Sequence, residues 1–123
     1  MQRSIVYRRL LFDRNIPDPL ARHLTGFEIR RTQDEGWNTL KNGDLLNAAE
    51  RAGFVVMLSA DQSLRHQQNL LGRKLGIVVL SSPSWTLIRN HIPSIQAALD
   101  AISPGEYAAL RFPRTGRVPR RPV

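Results

Sequence analysis

The chain reads as an α/β protein, a single three-layer α/β/α domain around a mostly parallel central sheet. Three observations carry that reading. Apolar runs suited to buried strands recur at Arg9-Leu10-Leu11-Phe12, Phe54-Val55-Val56-Met57-Leu58 and Ile77-Val78-Val79-Leu80, stretches with helical spacing separate them, and Gly or Pro marks most junctions. Parallel neighbours cannot be joined by tight turns, so each connection has to be a crossover, and crossovers are right-handed.

Residues 8–12 form the first strand. Asp18 precedes Pro19, an N-cap followed by proline at the first helical position, and this predicts a helix to about His23. Gly26 ends it, and Phe27-Glu28-Ile29-Arg30 alternates as a half-buried strand does. A polar loop over 32–41 holds Gly36 and Trp37. From Gly43 to Ala52, the residues Leu45, Leu46, Ala48 and Ala49 make one apolar helical face, and Gly53 is a fitting stop. Residues 54–58 are apolar throughout, which predicts a third strand buried on both faces. Residues 62–71 read as a helix closed by Gly72, 77–80 as the fourth strand, and Ser81-Ser82-Pro83-Ser84 as its exit loop. A short helix over 85–90 precedes a last one from about Pro93, with Ile95, Ala98, Leu99 and Ile102 at helical spacing, ending before Pro104-Gly105.

At 123 residues the chain is sized for one packed core, expected over 1–110. It has no cysteine, which excludes disulfides, thiolate metal sites and cysteine nucleophiles. No stretch approaches the roughly 18 apolar residues of a membrane span, and Met1-Gln2-Arg3-Ser4 leads into no apolar signal region. A cytoplasmic protein with no membrane partner is therefore expected. The net charge of +8 is unevenly placed: residues 111–123 hold five arginines and no acid, so thirteen basic residues face ten acids over 1–110, a net +3. With Pro113, Gly116, Pro119 and Pro122 that tail is expected to be flexible, either a phosphate-binding arm or a solvated extension without a specific partner.

Two of the apolar strands lead into an acid, Asp13 directly and Asp61 after Ser59-Ala60. In a parallel sheet all strand exits share one edge, where open α/β folds gather ligands. Asp44, in the first turn of the helix from Gly43, faces that edge too, so Asp13, Asp44 and Asp61 can meet around one cation. Mg²⁺ and Mn²⁺ prefer oxygen ligands, often one or two carboxylates completed by water and substrate phosphate, and the chemistry suits metal-assisted phosphodiester hydrolysis. Each acid has an alternative role. Asp13 with Asn15 and Pro17 is also a turn former, Asp44 a helix-start acid, and Asp61 an N-cap, compatible with ligation only if different oxygens serve each purpose.

Leu10-Leu11-Phe12-Asp13-Arg14-Asn15-Ile16-Pro17, the helix start Gly43-Asp44-Leu45-Leu46, and Val56-Met57-Leu58-Ser59-Ala60-Asp61-Gln62 resemble, in this order, the small PIN-like proteins of the DUF5615 type. That bacterial group is related to the toxin ribonucleases of toxin–antitoxin pairs, and the resemblance spans roughly residues 8–102. It implies a PIN-like fold and a Mg²⁺- or Mn²⁺-dependent nuclease acting on single-stranded RNA, with Asp13, Asp44 and Asp61 at the acidic positions and an antitoxin protein as partner. A homodimer is left open. Where the family commonly has another aspartate two residues after Asp61, this chain has Ser63, which can orient a metal-bound water but adds no charge. Either the enzyme works with three carboxylates or the site has become a binding surface.

Around these acids, Arg14 is placed to neutralise a phosphate, and Arg65 with Gln68 or Asn69 to contact an RNA backbone, unless they form a solvent-facing helix surface. Trp37 is either a lid over the core or a platform for a stacked base. Asp34, Glu35 and Glu50 are expected in solvent. His23, His66 and His91 lack ligand spacing and are assigned to surface or packing. A phospho-accepting receiver layout, with Asp13, Asp61 and Ser81 at three strand exits, is a further alternative, weakened by Phe12 and Arg14 flanking Asp13 where a paired acid is needed.

Overall fold

The computed structural model describes residues 7–64 and 72–113. Five strands, β1 (Arg8–Phe12), β2 (Phe27–Arg31), β3 (Val56–Ser59), β4 (Gly76–Leu80) and β5 (Tyr107–Leu110), form one all-parallel sheet in the order β2-β1-β3-β4-β5. The helices that lie wholly among the described residues are α1 (Asn42–Arg51), α2 (Trp85–Ile88), which runs into a 3₁₀ turn (Arg89–His91), and α3 (Ile92–Ala101), the helix expected over 62–71 falling mostly outside those residues. The segment Asp18–His23 is a 3₁₀ helix rather than an α-helix, and its cap is Pro17, without a side-chain hydrogen bond. Asp18 sits inside the first turn, and its carboxylate is bound to Arg31 instead. Among the described residues no helix is long and apolar enough to cross a membrane.

Alternation along the strands builds two cores. Leu10, Phe12, Val56, Leu58, Val78 and Leu80 point to one face, where Leu20 of the 3₁₀ helix and Ile88, Ile95, Leu99 and Ile102 cover them. Leu11, Met57, Ile77 and Val79 point to the other, under Leu45, Leu46 and Ala49 of α1 with Phe54, Leu64 and Leu75. The three layers are thus helix, sheet, helix. Strand β3 starts later than its apolar run: Val55 is exposed, and the fully buried stretch runs from Val56 through Ser59.

Two departures follow from how the first face is covered. Strand β5 lies beyond the last expected helix, in the sequence Tyr-Ala-Ala-Leu, whose central alanines are weak strand formers. It leads to Phe112, buried against the first core, so the core reaches that residue. The β4-to-β5 connection crosses the first face, as the β1-to-β2 connection does, but runs across the sheet in the opposite direction. It therefore has the opposite hand to the β1-to-β2 and β2-to-β3 crossovers, against the near-universal right-handed preference. The reason lies in burial. The second face already holds α1 together with Phe54, Leu64 and Leu75, whereas before α2 the described residues give the first face only a six-residue 3₁₀ helix over a sheet face of large aliphatics, and α3 supplies the missing cover.

Of the acids expected in solvent Asp34 is exposed, whereas Glu35 and Glu50 are partly buried and tie segments together. Glu50 Oε2 accepts the backbone N–H groups of Lys74 and Leu75 at 3.0 and 3.2 Å and pairs with Arg73. Arg30 bonds Glu35, and Arg31 bonds Asp34 and Asp18. Of the histidines, His91 stacks on Phe112 at 4.8 Å and His23 lies 5.7 Å from Trp85, packing roles as expected; His66 is outside the described residues.

Gly76 lies beneath the end of α3, and a Cβ there would stand 2.9 Å from both Ile102 Cγ1 and the Ser103 carbonyl oxygen. Gly76→Ala should lower the unfolding free energy by about 1–3 kcal/mol, the usual cost of overpacking, read as a lower urea midpoint at unchanged slope. The Arg31 guanidinium holds the Asp34 carboxyl below its usual range through their hydrogen bond. Its contribution is thus present above the ordinary carboxylate pKa and fades as pH falls through the lowered value. Asp34→Asn should flatten the stability–pH curve below about pH 4.

Candidate functional site

The chain leaves β1 toward the first face and β3 toward the second, although the two strands are hydrogen-bonded neighbours. Such a reversal opens a crevice at the carboxyl ends of the strands. A cleft of about 230 Å³ lies there, lined by Asp13, Arg14, Asn15, Thr32, Trp37, Asn38, Leu40, Lys41, Leu45 and Asp61.

Strand ladders carried one residue further fix its floor. The Asp13 N–H bonds the Leu58 carbonyl at 2.9 Å, and the Thr32 N–H bonds the Phe12 carbonyl at 3.1 Å. The two acids are joined through Ser59, which is fully buried. Its hydroxyl donates to Asp13 Oδ2 at 2.6 Å and accepts the Asp61 N–H at 3.0 Å. Asp13 Oδ1 accepts the Arg14 N–H at 2.9 Å, and Asn15 Oδ1 accepts the Ala60 N–H at 3.0 Å, locking one strand exit to the other. Asp61 Oδ1 takes the N–H of Ser63 at 3.0 Å and its hydroxyl at 2.7 Å, while no described residue donates to Oδ2. Capping and any ligation would thus use different oxygens of Asp61.

The loop over 32–41 forms the opposite wall. Gly36 adopts φ +78°, a left-handed turn conformation that lets the Trp37 N–H return to the Thr32 carbonyl at 2.9 Å. The Trp37 ring stands nearly perpendicular to Phe54, 6.1 Å away, so the indole both seals the second core and lines the cleft. Arg14 Nη1 donates to the Asn38 carbonyl at 2.7 Å, pinning the same loop.

Of the residues singled out from the sequence, the fold brings Asp13, Asp61 and Arg14 together. Asp44 does not line the cleft, although Lys41 and Leu45 do; it is exposed in the first turn of α1, where a carboxylate meets the positive end of the helix dipole. Ser63 contacts Asp61 without lining the cleft, and Arg65, Gln68 and Asn69 lie outside the described residues. Ser81, needed by a receiver layout, lines a separate cavity of about 250 Å³ with Gln62 and Arg111. Sequence reasoning missed Ser59, Thr32 and Lys41. A signal existed for Ser59: a hydroxyl closing a strand buried on both faces must find partners inside.

Among the described residues no three acidic or histidine side chains form a metal-holding group. Two carboxylates on one cleft nevertheless fit a hard cation, because each carboxylate oxygen has two lone pairs and Mg²⁺ commonly takes one or two carboxylates beside water and phosphate. Comparison with family models, curated proteins and solved structures finds no match.

Replacing Ser59 by alanine would leave the Asp61 N–H without its acceptor and Asp13 without its hydroxyl donor. Ser59→Ala should cost about 1–3 kcal/mol of stability, measurable by urea unfolding.

Proposed function

We propose that this chain is a Mg²⁺- or Mn²⁺-dependent endoribonuclease of PIN-like type, acting on single-stranded RNA as the toxin of a toxin–antitoxin pair. One observation carries the reading: Asp13 and Asp61 share the crevice between β1 and β3 with the cations Arg14 and Lys41. Acids alone would repel a phosphodiester and bases alone would only bind it; together they suit a site that docks phosphate and holds a divalent ion.

Asp13 and Asp61 would hold the ion, oriented by Ser59 and Ser63. The ion's chemistry is to lower the pKa of a water and offset charge on the phosphate. Arg14 and Lys41 dock the phosphate, and Asn15 keeps the two strand exits at a fixed separation. Water attacks phosphorus, the bond to the leaving oxygen breaks, and that oxygen takes up a proton, giving two shorter strands.

A second reading, a catalytically degenerate protein that binds nucleic acid or an antitoxin, is favoured by Ser63 standing where the resemblance has an acid and by Asp44 lying outside the cleft. Calorimetric titration with Mn²⁺, followed by incubation with single-stranded RNA, separates the two. The nuclease reading expects metal binding and metal-dependent cleavage. Asp13→Asn should weaken binding at least as much as the roughly 10- to 100-fold that loss of an outer-shell partner costs, and abolish cleavage. RNA binding that falls with salt, without cleavage at millimolar metal, would establish the degenerate reading.

A further inference from the structure

We propose that Trp37 is a stacking platform for an unpaired nucleobase, held against the indole while the adjoining phosphate lies between Arg14 and Lys41. This deepens the phosphodiester reading of the cleft and rests on it, naming the ligand as single-stranded nucleic acid recognised through a base as well as through its backbone.

The argument starts from the composition of the wall. Among the lining residues Trp37 is the sole aromatic, and it shares the cleft with two cations and two acids. Every base has a π-face, so an aromatic beside phosphate-binding groups recognises a strand without reading its sequence. Rigidity comes next. The Trp37 N–H bonds Thr32, the Trp37 carbonyl accepts the Leu40 N–H at 2.9 Å, Arg14 pins Asn38, and Phe54 abuts the ring. The segment leading into Trp37 is held by Arg31–Asp34 and Arg30–Glu35 pairs. An indole so fixed loses little freedom when a base stacks on it.

Size then selects the ligand. About 230 Å³, below the roughly 300 Å³ at which pockets for drug-sized molecules begin, is room for a single base and its phosphate. A base that stacks on the indole must have one face free of its neighbour, which single strands allow at little cost.

The chain has two tryptophans, and Trp85 lies in α2 against His23, not in the cleft. Trp85→Phe in the full chain thus leaves Trp37 as the sole indole reporter. With metal chelated to prevent cleavage, a short oligouridylate should quench Trp37 fluorescence saturably, whereas a ribose-phosphate strand of equal length without bases should bind more weakly and leave it unquenched. Trp37→Leu should weaken oligouridylate binding by roughly 5- to 150-fold, the range for loss of one stacked base, with Trp37→Phe retaining most of it. Equal quenching and affinity for the strands with and without bases would overturn the proposal. So would unchanged affinity in a folded Trp37→Leu protein. Metal-dependent cleavage by the otherwise intact chain decides the nuclease reading separately, since base-dependent quenching is read without metal.

Discussion

Strand β1 is the constraint on which the rest of the molecule depends. Both of its ends reach across layers. At its start, Arg8 and Arg9 point to opposite faces. Arg8 donates to the Leu99 carbonyl near the end of α3 and lies over the Phe27 ring; Arg9 donates to the Ala52 carbonyl at the end of α1 and lies over Phe54. Each guanidinium thereby meets a helix terminus where partial negative charge gathers. In the middle, Leu10, Leu11 and Phe12 are fully buried and feed the two cores in alternation. At its exit, Asp13 is bonded to β3 through its backbone and to Ser59 through its side chain. A shift of β1 by one residue would exchange its core faces, release two helix ends and withdraw Asp13 from the cleft together.

The legible part of this arrangement was the part written in local pattern. Buried apolar runs followed by acids place Asp13 and Asp61 on one edge, and the sheet order makes β1 and β3 neighbours, so the two acids share a cleft. What pattern did not carry was direction. Asp44 occupies the expected helix turn, but the roll of α1 that buries Leu45, Leu46 and Ala49 leaves it in solvent. Asp18 has a cap-like sequence, yet Arg31 from the neighbouring strand claims it. Glu50 reads as a solvated helix residue and instead satisfies two amides of the chain entering β4. For Asp18 and Glu50 a partner distant in sequence outweighed a local preference. Strand β5 escaped for a simpler reason: an edge strand gains its place from pairing with β4, not from the character of two alanines.

The electrostatics of the cleft are mixed by construction. Asp13 and Asp61 are half-buried, with Asp13 Oδ2 and Asp61 Oδ1 held by serine hydroxyls rather than by cationic side chains. Arg14 reaches across to a carbonyl of the opposite wall instead of pairing with Asp13 next to it. Among the described residues the acids are thus fixed in direction without a cationic partner, and Arg14 without being consumed by Asp13. A preorganised site of this kind need not reorient its dipoles when a charged ligand arrives, which is where electrostatic sites derive most of their advantage over water.

The reversed hand of the last crossover has a consequence for how the chain matures. As it emerges from the N-terminus, the first eighty residues can pair β2, β1, β3 and β4 and close the second core, but Leu10, Phe12, Val56, Leu58, Val78 and Leu80 stay largely bare until α3 is made. Then Gln96 grips the Thr25 backbone through both ends of its amide, and the Arg8 contact to Leu99 closes the layer. A ribosome-bound or truncated chain therefore shows a continuous aliphatic sheet face, the surface that chaperones hold and proteases clear. The crevice between β1 and β3, built wholly from the first half of the sequence, thus sits on a sheet whose other face is covered by residues from the last third.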